Sequence, residues 1–150
     1  AAVCAACHTS DGSRGLPSFP ILQGQHPEYL VKQLTEFKEG KRKNSVMNGM
    51  AAALSPDDMR NIAAVYASKK ATAGTAKKAG PACAACHSPN GAGIPAQYPR
   101  LAGQHADYTK TQLTTFRQGE RNNSAQMSAI AANLSDKEIE ALADYVAGLR

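Results

Sequence analysis

The chain is one unit written twice, and that duplication limits its fold more than any other feature. Cys4-Ala5-Ala6-Cys7-His8 recurs letter for letter as Cys83-Ala84-Ala85-Cys86-His87, and the two motifs use every cysteine of the 150 residues. A shift of 79 positions carries Pro20, Leu22, Gly24, Gln25 and His26 onto Pro99, Leu101, Gly103, Gln104 and His105. It also carries Tyr29, Gln33, Leu34, Phe37, Gly40, Arg42 and Asn44 onto Tyr108, Gln112, Leu113, Phe116, Gly119, Arg121 and Asn123. One residue is then inserted in the second copy, so that Leu54-Ser55 matches Leu134-Ser135 at a shift of 80. Two like domains in tandem are expected, 1–70 and 80–150, with 71–79 as linker and start of a leading helix.

Cys-x-x-Cys-His is the attachment signature of a c-type haem. On a short helical turn, each of the two thiols bonds one vinyl-derived carbon of a single porphyrin. The next residue then places an imidazole under the iron. Three plainer readings compete. A zinc tetrathiolate of Cys4, Cys7, Cys83 and Cys86 leaves the adjoining His8 and His87 unexplained. A thioredoxin-like dithiol expects strands rich in Val, Ile and aromatics, and none flank either motif. A disulfide within one motif closes too short a loop to stabilise much. Two covalent haems are therefore expected, on Cys4 and Cys7 and on Cys83 and Cys86, with His8 and His87 as proximal ligands.

Composition agrees. Aromatics make up 5% of the chain and Trp is absent, thin material for two independent cores. Small domains of this kind need a staple such as a metal or cofactor, and a large flat apolar body supplies it. The formal charge is +5, from 17 basic and 12 acidic residues, and the four propionates of two haems offset much of it. Nucleic acid is accordingly not expected as a partner. The run Lys41-Arg42-Lys43 reads as a solvated patch, or as a docking aid for an acidic redox partner. No apolar stretch approaches the ~20 residues needed to cross a bilayer. The chain opens three residues before Cys4, and haem is attached outside the bacterial cytoplasm, so a mature form with its leader removed on export is expected.

Each copy reads as helices joined by turn-rich loops. From Pro27, Leu30, Leu34 and Phe37 fall on one helical face before Gly40 stops the run; Leu113, Phe116 and Gly119 repeat this from Ala106. The last helices open with capping boxes at Ser55–Asp58 and Ser135–Glu138. Behind them run the apolar stripes Met59, Ile62, Ala63, Tyr66 and Ile139, Leu142, Ala143, Val146. The segment 68–80 connects the copies, and 75–82 is expected to lead helically into the second motif, a lead-in that the first copy lacks. No strand is expected, and the fold class is all-α.

The sixth ligand decides what each iron can do, because a second protein ligand closes the iron and makes it an electron carrier. Met127 precedes Leu134 by seven residues and Met47 precedes Leu54 by the same seven. Both are expected in Asn/Ser-rich loops between the main helices. Met50 and Met59 align with Ile130 and Ile139 and read as core or haem-packing positions. The rival is bis-histidine ligation through the matched His26 and His105, which otherwise serve as helix caps or surface residues. The carbonyls of Pro20 and Pro99 are candidate acceptors for the proximal imidazoles, unless these prolines only break structure. Arg42 and Arg121, or Gln25 and Gln104, are candidate propionate partners.

With these residues in place, the chain resembles the cytochrome c4 family, di-haem carriers of the bacterial periplasm, over nearly its whole length. The paired Pro-x-Leu-x-Gly-Gln-His stretches, 20–26 and 99–105, and the paired Met-then-Leu-Ser segments carry the likeness beyond Cys-x-x-Cys-His alone. The resemblance implies His8 with Met47 on the first iron and His87 with Met127 on the second. It also implies two class I cytochrome domains about an approximate two-fold axis, with haem edges close enough for electrons to pass between them. It further implies a quinol–cytochrome c reductase as donor, a terminal haem-copper oxidase as acceptor, and a periplasmic place, loosely peripheral on the inner membrane. A cytochrome subunit of a catalytic complex, such as a flavocytochrome c sulfide dehydrogenase, shares the two-domain design. A di-haem enzyme would need an open iron or a spare Cys ligand; each half offers a Met, and no Cys is left over.

Overall fold

The computed structural model describes residues 2–9, 11, 13–70 and 81–149, and every regular element among them is a helix. The first repeat holds α1 (Ala2–His8), α2 (Pro27–Lys38), α3 (Ser45–Ala52) and α4 (Pro56–Ala67). The second holds α5 (Pro81–His87), α6 (Ala106–Arg117), α7 (Ala125–Ala132) and α8 (Asp136–Gly148). A single bridge, Ile94 to Tyr98, is the only extended pairing among the described residues. The expected linker and most of the 75–82 lead-in lie outside those residues. Within them α1 and α5 each span seven residues, the Cys-x-x-Cys-His motif forming the end of each.

The main helices form where the sequence places them, for identifiable reasons. Pro27 opens α2 at a position that needs no N–H donor, and Gly40, at φ +72, lets the chain turn away beyond its end. Both capping boxes are closed: Ser55 Oγ accepts from Asp58 N–H at 3.1 Å while the Asp58 carboxylate accepts from Ser55 N–H at 2.9 Å. Ser135 and Glu138 repeat this at 3.3 and 2.8 Å. α2 packs on α3 and α4, and α6 on α7 and α8. Leu30, Ala63 and Tyr66 make the first core, with Cys4 and Leu22 against it; Ala102, Val146 and Leu149 make the second.

Two helices were not anticipated. The segments carrying Met47 and Met127, expected as loops, are the eight-residue helices α3 and α7. Their small residues carry little periodic signal; what makes them helical is the N-cap of each, Asn44 and Ser124, and packing against α2 and α6.

The repeats meet through reciprocal polar contacts, which is how an approximate two-fold axis shows in side chains. Gln25 donates to Arg100 O at 2.9 Å and accepts from Arg100 N–H at 2.8 Å. Gln104 does the same with Ile21, at 3.0 and 2.9 Å. Arg42 donates to Gln33 at 2.6 Å and across the interface to Tyr108 Oη at 2.9 Å and Gln112 at 2.8 Å. Arg121 donates to Gln112 at 2.5 Å and across to Tyr29 Oη at 3.2 Å and Gln33 at 3.3 Å. Each guanidinium also stacks on a ring, Arg42 on Phe37 and Arg121 on Phe116. Burial pushes the Tyr108 phenol up, but the two guanidiniums beside it more than reverse this, and its pKa lies below the ordinary value. Arg42, Arg121, Gln25 and Gln104 are thus groups of the interface between the repeats. Arg42, at 7% exposure, is also no part of a solvated basic patch.

Candidate metal centres

Each centre begins where a short helix is made to stop. The residues after His8 and His87, Thr9 and Ser88, take φ values of +50 and +67. That left-handed step costs a non-glycine residue about 1–2 kcal/mol, and a β-branched Thr is an outlier there. Local hydrogen bonds hold it. Thr9 N–H donates to Ala5 O at 3.0 Å, Gln23 Nε2 donates to Thr9 Oγ1 at 2.9 Å, and Ser88 Oγ donates to Gly93 O at 2.9 Å.

The chain then returns so that His8 Nδ1 donates to Pro20 O and His87 Nδ1 to Pro99 O, both at 2.9 Å. This bond fixes the tautomer and leaves Nε2 as the ring nitrogen with a lone pair for a metal. Phe19 and Tyr98 stand edge-on to the two imidazoles, at centroid distances of 6.3 and 5.9 Å. Burial holds both histidines below their ordinary pKa, with the carbonyl bond opposing it, so the neutral, ligating form prevails at pH 7.

Met47 and Met127 occupy the third position of α3 and α7, and both are half-buried. The cap reaches the same residue in each: Met47 N–H donates to Asn44 Oδ1 at 2.9 Å, and Met127 N–H to Ser124 Oγ at 3.4 Å. The other two methionines differ. Met59 is buried at 4% exposure and its Sδ accepts from Thr35 Oγ1 at 3.5 Å, whereas Met50 is exposed.

The rival histidines are committed elsewhere. His26 and His105 stand at the N-cap positions of α2 and α6 but make no side-chain cap. Instead His26 Nε2 donates to Ala92 O at 2.9 Å and His105 Nε2 to Arg14 O at 2.5 Å, each in the opposite repeat. They are interface residues, neither surface groups nor caps.

Two observations test whether a haem fits. The phenol oxygens of Tyr66 and Tyr145 are buried with no hydrogen-bond partner, as at the wall of a site whose occupant completes them. Burial, and then the neighbouring Cys4, raise Tyr66 to a pKa of about 12. Large apolar side chains also stand exposed on the helices concerned: Val3 on α1, Val46 and Met50 on α3, Ile130 on α7. A porphyrin tethered at the motif would cover apolar surface of this kind, so the residues present fit the group. The zinc reading fails, because no cluster of three or more His, Cys, Asp or Glu among the described residues can hold a metal ion, so the four cysteines do not converge. None of the four is in a disulfide.

The cytochrome c family model matches residues 1–65 and again 71–150. Cytochrome c4 of Pseudomonas aeruginosa is 44% identical over 170 residues, spanning 99% of this chain and 85% of that protein. The crystal structure of reduced recombinant cytochrome c4 from Pseudomonas stutzeri superimposes with a TM-score of 0.88 at 41% identity, covering 99% of this chain and 94% of that one. The chain belongs to the cytochrome c4 family. As a cytochrome c4 it is a di-haem electron-transfer protein with two covalently attached haems c, and an electron carrier with redox partners rather than an enzyme. Another relative, a thiosulfate dehydrogenase electron acceptor of Stutzerimonas stutzeri, is 36% identical over 172 residues, 99% of this chain and 80% of that one. No helix among the described residues is long and apolar enough to cross a membrane.

Sequence reasoning missed Thr9 and Ser88, for which no pattern signals a left-handed residue after the motif histidine, and Gln23, which holds Thr9. It also misplaced His26 and His105, expected as caps or surface residues, and did not find the cross-repeat partners of Gln25 and Gln104.

Proposed function

We propose that His8 and Met47 hold the first iron and His87 and Met127 the second, with Cys4, Cys7, Cys83 and Cys86 as the thioether anchors. Both irons are then six-coordinate, each repeat (1–70 and 80–150) is a mono-haem unit, and 71–79 links them. The observation that carries this reading is the matched pair of fixed imidazoles: two Nδ1–H groups on proline carbonyls at the same 2.9 Å, with a capped methionine at the same helical position in each repeat. The haem iron supplies a one-electron ferric/ferrous couple. The protein keeps the imidazole neutral and oriented, and offers a soft sulfur that favours the ferrous state and raises the potential.

Met47→Ala and Met127→Ala test the ligands. Each is expected to remove about half of the weak far-red sulfur-to-iron band of the ferric protein and to let the ferrous protein bind carbon monoxide at one haem. A band that survives both substitutions overturns the assignment.

In this reading the protein works in the periplasm, loosely peripheral on the inner membrane, taking electrons from a quinol–cytochrome c reductase and passing them to a terminal haem-copper oxidase. Stopped-flow reoxidation of the ferrous protein by oxidase-containing membranes is expected to be fast and to slow with rising salt. The name of the Stutzerimonas stutzeri relative favours a second reading, in which thiosulfate dehydrogenase is the electron donor. Reduction by that enzyme plus thiosulfate supports it. A tight complex with a flavoprotein subunit would instead mark the subunit of a flavocytochrome c sulfide dehydrogenase.

A further inference from the structure

The two methionine helices start from unlike supports. In the first repeat the support is internal. Asn44 Oδ1 caps Met47 N–H at 2.9 Å, and Asn44 N–H donates to Asn48 Oδ1 at 2.7 Å. Asn48 Nδ2 in turn donates to Phe37 O at 2.5 Å and Arg42 O at 3.0 Å, tying α3 to the end of α2 and the turn after it.

The second repeat lacks this device. Its inserted residue passes the cap to Ser124, and Ser128 stands in the register of Asn48 without an amide to reach back. Asn123, the counterpart of Asn44, is thereby released, and it crosses to the first repeat. Its Nδ2 donates to Glu36 Oε2 at 2.6 Å and Gln33 Oε1 at 3.1 Å, while Lys32 Nζ donates to Asn123 O at 3.3 Å. Arg121 Nε holds Asn123 Oδ1 at 3.0 Å, and Lys32 pairs with Glu36 at 2.6 Å. The traffic runs one way, because Thr115 and Thr111 stand where a mirrored Glu36 and Lys32 would be.

We propose that Glu36 and Lys32, with Gln33, are positioning residues for the second iron: through Asn123 they hold the entry to α7 and so the sulfur of Met127, while the first iron's methionine is held within its own repeat. This rests on Met127 as a ligand. It makes the sixth ligand of one haem depend on the intact interface and leaves the other independent of it. A charge-assisted hydrogen bond from a half-buried amide N–H to a carboxylate is among the stronger contacts available for this.

The test uses the full di-haem protein. Imidazole competes with the methionine sulfur for each ferric iron, and loss of the far-red band follows the displacement, with Met127→Ala identifying which step belongs to the second haem. Glu36→Ala is expected to tighten imidazole binding at the second iron on the order of tenfold and leave the first unchanged. Asn123→Ala, which removes the anchored amide from the other side, is expected to give the same split. Glu36→Gln keeps an acceptor for Asn123 and is expected to restore most of the wild-type value, and the mirror change Thr115→Ala to alter neither haem. Equal shifts at both irons, or none at the second, overturn the proposal while leaving the ligand assignment intact. A far-red band indifferent to Met127→Ala overturns that assignment and the proposal with it.

Discussion

Gly93 shows how closely backbone is built around a motif histidine. At φ +78 it lies where L side chains are strained, and a Cβ there would sit 2.5 Å from Tyr98 O and 2.7 Å from Pro99 O. Its N–H donates to His87 O at 2.9 Å, and the Pro99 carbonyl it would strike is the one that orients His87. Gly93→Ala is expected to cost more than about 1 kcal/mol in chemical denaturation. It is also expected to shift the reduction potential of the second haem alone, because the displaced acceptor turns the imidazole. At this scale the motif residues were legible. His8 and His87 follow directly from Cys-x-x-Cys-His, and a proline carbonyl was already a candidate for each. The left-handed Thr9 and Ser88 were not, since neither residue type favours that conformation and only the returning loop enforces it.

Helices with strong local signals formed where expected, and those without were missed. α4 and α8 announce themselves by a capping box and an apolar stripe, and both boxes close in the structure. Ser55→Ala is expected to lower stability by about 1 kcal/mol, measured by denaturant titration. The two box carboxylates also predict an acid limb. Asp58 and Glu138 are held below their ordinary pKa, first by the serine hydroxyl and then by its backbone N–H. A carboxyl with a depressed folded pKa contributes stability above its unfolded pKa and loses it as pH falls through the folded value. Asp58→Asn and Glu138→Gln are therefore expected to flatten the decline of stability with acidification, followed by circular dichroism. α3 and α7 escaped notice because eight residues of mostly small side chains make a marginal helix that only a cap and a packed neighbour stabilise.

At the scale of the molecule, the interface makes one repeat a condition for the other. Gln104 satisfies both backbone groups of Ile21, a buried residue next to the proline that orients His8. Gln104→Ala leaves that N–H and that carbonyl without these partners, and about 1–3 kcal/mol is expected to be lost for each group that finds no water. Although the substitution lies in the second repeat, the first haem is expected to respond, as a changed potential and as faster amide exchange at Ile21. An unchanged first haem would mean that Pro20 is held by its own loop. The mirror change Gln25→Ala is expected to act on Arg100 and the second haem.

The sequence by itself determined the duplication, the all-α class, the two Cys-x-x-Cys-His motifs, and the main helices. All of these are encoded in contacts between residues close along the chain: a turn, a cap, a face of 3.6-residue period. Only the tertiary structure decided what Gln25, Gln104, Arg42, Arg121, His26 and His105 do. Their partners lie 66 to 92 positions away in the other repeat, and no local pattern states how two copies of one unit will face each other. The physical reason is that a polar side chain names the kind of partner it needs but not its address, and packing of the two repeats supplies the address.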